Sequence, residues 1–154
     1  MITVEITAAP INANDCIKDV ADDGAGAIST FIGTTRDTFD GKPVLELQYE
    51  AYEPMASQEM RSIATAILKR WPGVKHISMR HRTGIVPVRE ASVVIAVSSV
   101  HRAEAITACG FAIDELKARV PIWKLEKYAN EQASWKQNAE CNVLPRPLAH
   151  PKAG

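Results

Sequence analysis

The chain is expected to fold as an α+β protein, a mixed and largely antiparallel sheet carrying three main helices. Three observations lead there. Segments of period-two apolar alternation outnumber the helical ones, and turn-like punctuation between several of them suits hairpins. The resulting order, β-α-β-β-α-β-β-β-α-β, also lacks the regular strand–helix alternation of parallel winding. With 154 residues, of which 46% are hydrophobic and 23% charged, one core can form without staples.

"ITVEIT" places Ile2, Val4 and Ile6 on one side of a half-buried strand. "NANDCIKDVADDG" reads as a short helix capped by Asn12 or Asn14, with Ile17, Val20 and Ala21 as its apolar stripe and Gly24 as its stop. "GAISTFIG" is apolar and β-rich enough for a central strand, and "TTRDTFDGKP" has the Asp-Gly and Lys-Pro punctuation of a loop or hairpin. "VLELQYEAY" sets Leu45, Leu47, Tyr49 and Ala51 against Glu46, Gln48 and Glu50, a strand with one wet face. Pro54 suits the first position of a helix, where its missing N–H costs nothing. Met60, Ile63, Ile67 and Trp71 form that helix's buried stripe, and Pro72-Gly73 ends it.

"VKHISMRHRTG" gives another alternating strand through Ile77 and Met79, and Pro87 limits the following "IVPV" to an edge or a corner. "SVVIAVSSV" is the most apolar strand and is expected at the centre of the sheet. The longest helix lies in "HRAEAITACGFAIDELKARV", with Ile106, Cys109, Ile113, Leu116 and Val120 recurring at helical steps. Pro121 disfavours helical geometry at Val120, so this helix should finish near Arg119. "IWKLEKY" resumes as a strand with Ile122, Lys124 and Glu126 on one face and Trp123 and Leu125 on the other. The expected organisation is one domain over 1–137 and a proline-rich tail over 138–154.

Eighteen basic residues balance eighteen acidic ones, so a general attraction to nucleic acid or anionic membrane is not expected. No apolar run approaches membrane-spanning length, and "MITVEITAAP" lacks the regions of a signal peptide. Cys16, Cys109 and Cys141 are odd in number, far apart and without a C-x-x-C pair. That speaks against a disulfide framework or structural zinc and for a reducing, cytoplasmic compartment. No metal or cofactor is expected.

Anion binding must then come from local clusters. His101-Arg102 stands at the start of the longest helix, where unpaired N–H groups already favour an anion. Arg36 in "FIGTTRD" follows a glycine and the hydroxyls of Thr34 and Thr35, a loop able to wrap an oxyanion. Lys117 falls in the last helical turn and Lys124 on the strand beyond the Val-Pro corner. If the Trp123 face is buried, that corner can return Lys124 towards Lys117, and two close ammonium groups would depress a pKa and suit proton transfer. Each cluster alone also reads as an ordinary solvated charge. His101 and Lys117 are sixteen residues apart on one helix, about 24 Å along its axis. One small guest can touch both only if a second copy of the chain completes the site, which gives a symmetric dimer with two composite pockets.

"FIGTTRD", "LELQYEAYEPMA" and "SSVHRAEAITACGFAIDELKARVPIWKLE" resemble, in order and spacing, the large catalytic subunit of molybdopterin synthase, over about residues 26–135. The resemblance implies an α/β-hammerhead-like fold and a homodimer within a heterotetramer, each end holding a small ubiquitin-like sulfur carrier. It further implies a sulfurtransferase that moves sulfur from the carrier's C-terminal thiocarboxylate to cyclic pyranopterin monophosphate, forming molybdopterin for molybdenum cofactor biosynthesis. Carried over by position, Arg36, His101 and Arg102 match substrate-anion residues, the latter two from the neighbouring subunit. Lys117 and Lys124 match the catalytic lysines, and Leu125 and Glu126 continue that binding segment. Thr34 stands where the family often has a basic residue. The rival expectations are a non-catalytic module that binds a phosphorylated metabolite and a scaffold for a ubiquitin-like protein.

Overall fold

The computed structural model describes residues 1–129 and 134–137, so the tail expected at 138–154, with Cys141, lies outside the described residues. Among the described residues the order is β1 (Ile2–Thr7), α1 (Ala13–Val20), β2 (Ala27–Thr34), β3 (Thr38–Phe39), β4 (Lys42–Ala51) and α2 (Glu53–Arg70). There follow β5 (Val74–Arg82), β6 (Gly84–Pro87), β7 (Ala91–Ser99), α3 (Arg102–Arg119), β8 (Ile122–Tyr128) and β9 (Ser134–Gln137). This is the expected α+β order, with the two-residue β3 and the short β9 added.

The strands divide between two sheets. One runs β1-β5-β7-β2, with β1 parallel to β5 and the other neighbours antiparallel. The second is antiparallel throughout and runs β3-β4-β8-β9, with β6 against the side of β4 away from β8. β7 lies between β5 and β2, as its continuous apolarity requires, because both of its faces are covered. Val93, Ile95 and Val97 join the main core with Met60, Ile63 and Ile67 of α2 and Ala108, Ala112 and Leu116 of α3. Val94 and Ala96 point the other way, onto Cys16 and Val20 of α1. Full burial of each such valine or isoleucine stabilises the fold by about 1.5–3 kcal/mol.

Local chemistry explains the boundaries. The Asn12 side chain caps α1 by accepting from the Asn14 N–H at 2.9 Å. Asp40 (φ 50°) and Gly41 (φ 74°) make the two-residue turn between Phe39 and Lys42, both left-handed as a twisted hairpin demands. Pro54 sits in the first turn of α2, and α3 stops at Arg119 with Val120 as its cap.

Four expectations are corrected. β2 is an edge strand rather than a central one, leaving Ile28 and Ile32 at 41% and 45% exposure. Its apolar composition did not require two flanking strands. In α1 the buried pair is Cys16 and Val20, one turn apart, while Ile17 turns outward. Leu45 is exposed because the β4–β8 register shifts between Val44 and Glu46, and that bulge puts Val44 in the interior instead. Along α3 and its cap Cys109, Ile113, Leu116 and Val120 are buried as expected, joined by Ala105, Ala108 and Ala112, but Ile106 lies about 100° round the helix from Ala105, in solvent.

Candidate active site

The two sheets meet around a cavity of about 390 Å³. Its wall is drawn from β2 and the following loop (Phe31, Gly33, Thr34, Arg36), from β3 and β4 (Phe39, Leu47, Tyr49) and from β5 and β7 (His81, Ser92). The end of α3 and the start of β8 close it with Leu116, Lys117, Ile122, Lys124 and Glu126.

The Val-Pro corner sets Lys117 and Lys124 on the wall of one cavity. Pro121 cannot extend α3, and its carbonyl accepts from the Tyr52 N–H at 3.2 Å, so β8 is turned back antiparallel to β4. Trp123 is buried, as that geometry needed, and Ile122, Lys124 and Glu126 share the face that lines the cavity. β8 is largely buried, with Trp123, Leu125 and Glu126 all at most 3% exposed, while the Lys124 side chain stays 33% exposed. Lys124 Nζ lies 3.7 Å from Glu126 Oε1, and the Tyr128 hydroxyl donates to the same carboxylate. A carboxylate, rather than a second ammonium, is thus the nearest charge shown for Lys124. Among the described residues neither Arg36 nor Lys117 forms an ion pair. Among the described residues the wall therefore presents Arg36, Lys117 and Lys124 against the one carboxylate of Glu126.

Thr34 lines the cavity, but Thr35 does not; it is a strut. Its hydroxyl donates to the Val86 carbonyl at 3.3 Å, its N–H donates to Glu90 O at 3.1 Å, and its carbonyl accepts from Arg89 at 2.9 Å. These bonds pin the Arg36 loop to the turn between β6 and β7. Leu125 faces away from the cavity with Trp123 and serves the interior. His101 and Arg102 are exposed at the opposite end of α3 and take no part in the wall. The junction that carries them is closely packed, since a Cβ at Gly26 would lie 2.5 Å from the Val100 carbonyl oxygen.

Sequence reading missed the neutral part of the wall. His81 follows Ile77 and Met79 at period two, which was signal enough to place it on the buried face of β5. Its Nδ1 lies 2.8 Å from the Arg82 carbonyl, and burial pushes its pKa down to about 4. Its ring meets Tyr49 edge-on, with centroids 5.1 Å apart. Burial raises the Tyr49 phenol, opposed by the Ser92 hydroxyl beside it. The Cys109 thiol is likewise pushed up by burial and packs as a small apolar group in the core.

Residues 6–119 match the family model described as MoaE protein. The chain is 57% identical over 125 residues to molybdopterin synthase catalytic subunit 1 of Aedes aegypti, covering 80% of this chain and 81% of that protein. It is 51% identical over 138 residues to the molybdopterin synthase catalytic subunit of Drosophila willistoni, covering 89% of this chain but 37% of that longer protein. A crystal structure of molybdopterin synthase from Staphylococcus aureus superposes with a TM-score of 0.82 at 36% identity, covering 86% of this chain and 95% of that one.

Proposed function

The chain belongs to the MoaE protein family, and on that footing we propose that it is the catalytic subunit of a molybdopterin synthase, a sulfurtransferase of molybdenum cofactor biosynthesis. The observation that carries the site assignment is the convergence of Arg36, Lys117 and Lys124, from three separate elements, on one cavity. Its substrates are cyclic pyranopterin monophosphate and the C-terminal thiocarboxylate of a small ubiquitin-like carrier. Both are anions, and a cavity with more cations than carboxylates suits both.

Residues 1–137 form the catalytic unit. Arg36 neutralises phosphate from within the subunit, with the Thr34 hydroxyl beside it. His101 and Arg102 of a second copy complete that anion site, because their own α3 holds them about 24 Å from Lys117. Lys117 and Lys124 stabilise developing oxyanions and move protons as the thiocarboxylate sulfur displaces an oxygen substituent of the pterin side chain, whose leaving oxygen takes up a proton, and as water then cleaves the carrier's acyl–sulfur bond to free its carboxylate. Glu126 holds Lys124 in place from within the wall. Two rounds yield the dithiolene of molybdopterin. The assembly is a homodimer within a heterotetramer, and its cytoplasmic location fits the buried, unpaired Cys16 and Cys109.

The test is incubation with a thiocarboxylated carrier and the pyranopterin, followed by mass analysis of the pterin. Gain of two sulfur atoms is expected. A pterin that binds but does not change would leave a metabolite-binding module. Carrier binding without turnover, insensitive to loss of Lys117 and Lys124, would leave a scaffold.

A further inference from the structure

We propose that His81 is the hydrogen-bond acceptor that positions the heterocyclic ring of the guest at the neutral wall of the cavity, by taking a ring N–H through Nε2. This rests on the pterin reading above and deepens it by giving the ring a subsite separate from that of the phosphate.

The geometry assigns the protons. Nδ1 of His81 sits 2.8 Å from the Arg82 carbonyl oxygen, an acceptor only, so Nδ1 carries the hydrogen and Nε2 carries a lone pair. Nε2 meets no hydrogen-bond partner among the described residues. The side chain is 4% exposed, yet it forms part of the cavity wall. The lone pair is not sealed off from the cavity, so water meets it in the empty protein, and a guest that supplies an N–H takes the place of that water. Burial also keeps the ring uncharged at neutral pH, so it offers an acceptor and not a cation.

The neighbours select the kind of guest. The cations come from the Arg36 loop, α3 and β8, whereas His81, Tyr49 and Ser92 come from β5, β4 and β7 and are uncharged. Tyr49 holds the imidazole edge-on, and Phe31 adds a flat apolar surface to the same cavity. A lone pair in such surroundings repels phosphate and thiocarboxylate. It accepts from a neutral, planar, N–H-bearing heterocycle, which describes the pterin ring. The rival donor is a backbone N–H of the carrier's C-terminal segment.

The experiment compares wild type, His81→Phe and His81→Gln, measuring pterin binding and carrier binding separately by calorimetry. In His81→Phe, the pterin dissociation constant should rise about tenfold or more, with carrier affinity unchanged. His81→Gln, which returns an acceptor, should recover most of that loss. In wild-type protein with 15N-labelled histidine, the unprotonated Nε2 resonance should move on saturation with pterin and stay put on saturation with carrier. This reading decides the matter even if a variant fails to fold. Unchanged pterin affinity in His81→Phe, or a still resonance, overturns the proposal. An effect confined to the carrier overturns it too and gives the lone pair to the peptide. Failure of wild type to produce sulfurated pterin strikes the parent function instead, since ring binding is read here without turnover.

Discussion

Lys124 and Glu126 face each other across 3.7 Å on one side of β8, and the carboxylate is buried while the lysine stays about one-third exposed, at 33%. Glu126 is also held by the Tyr128 hydroxyl, so the lysine's counter-charge is anchored rather than mobile. Glu126→Gln keeps the shape and an oxygen acceptor for Tyr128 but removes the charge. Turnover should fall by about ten- to a hundredfold as Lys124 loses its fixed position, while the urea midpoint moves little. Steady-state kinetics beside urea denaturation checks this. Full activity in the variant would remove Glu126 from the machinery.

Lys117 lines the same cavity without an ion pair among the described residues. Lys117→Arg keeps the charge but replaces an ammonium able to release a proton with a guanidinium that does not. Binding of the pterin should survive, and turnover should drop by about a hundredfold or more. Single-turnover assays with thiocarboxylated carrier separate the two. Near-normal turnover would reduce Lys117 to an electrostatic role.

The length of α3 makes the composite pocket testable by mixing. His101→Ala and Lys117→Ala subunits, each inactive alone, are unfolded together and refolded at equal concentration. Half of the dimers should be mixed, and each mixed dimer has one intact pocket of its two, so activity should return to about a quarter of wild type. No recovery, with mixed dimers verified by mass, would show that the two residues do not serve one pocket.

His81 sets a pH dependence of stability. Its folded-state pKa is lowered from 6.5 to about 4, so between those values the unfolded chain binds the extra proton. Its contribution is therefore present above pH 6.5 and is lost as pH falls towards 4, on the order of 3 kcal/mol in all. Urea unfolding at pH 7 and pH 4.5 should show the loss, and His81→Phe should flatten that part of the curve. An unchanged pH slope in the variant would assign the loss to other groups.

The strands and helices were legible because each carries its own period. Ile77 and Met79 alternate, Met60, Ile63 and Ile67 recur at helical steps, and Pro121 stops α3 wherever it lies. The errors came from places where period is not enough. A bulge moved Val44 into the interior in place of Leu45, and a stripe of alanines hid behind the larger Ile106. Edge and centre also look alike from inside a strand, so nothing in the composition of β2 marks it as an edge.

The candidate site divides in the same way. Lys117 and Lys124, the face shared by Ile122, Lys124 and Glu126, and the separation of His101 from Lys117 followed from the sequence through helix rise, strand alternation and one proline. These are properties of neighbouring residues and need no fold to hold. The grouping of Tyr49, His81 and Ser92 into one neutral wall, the role of Thr35 as a strut and the burial of Glu126 emerged only from the packing of two sheets. Residues far apart in the chain become neighbours there, and no local periodicity encodes which side chains two separate sheets bring face to face.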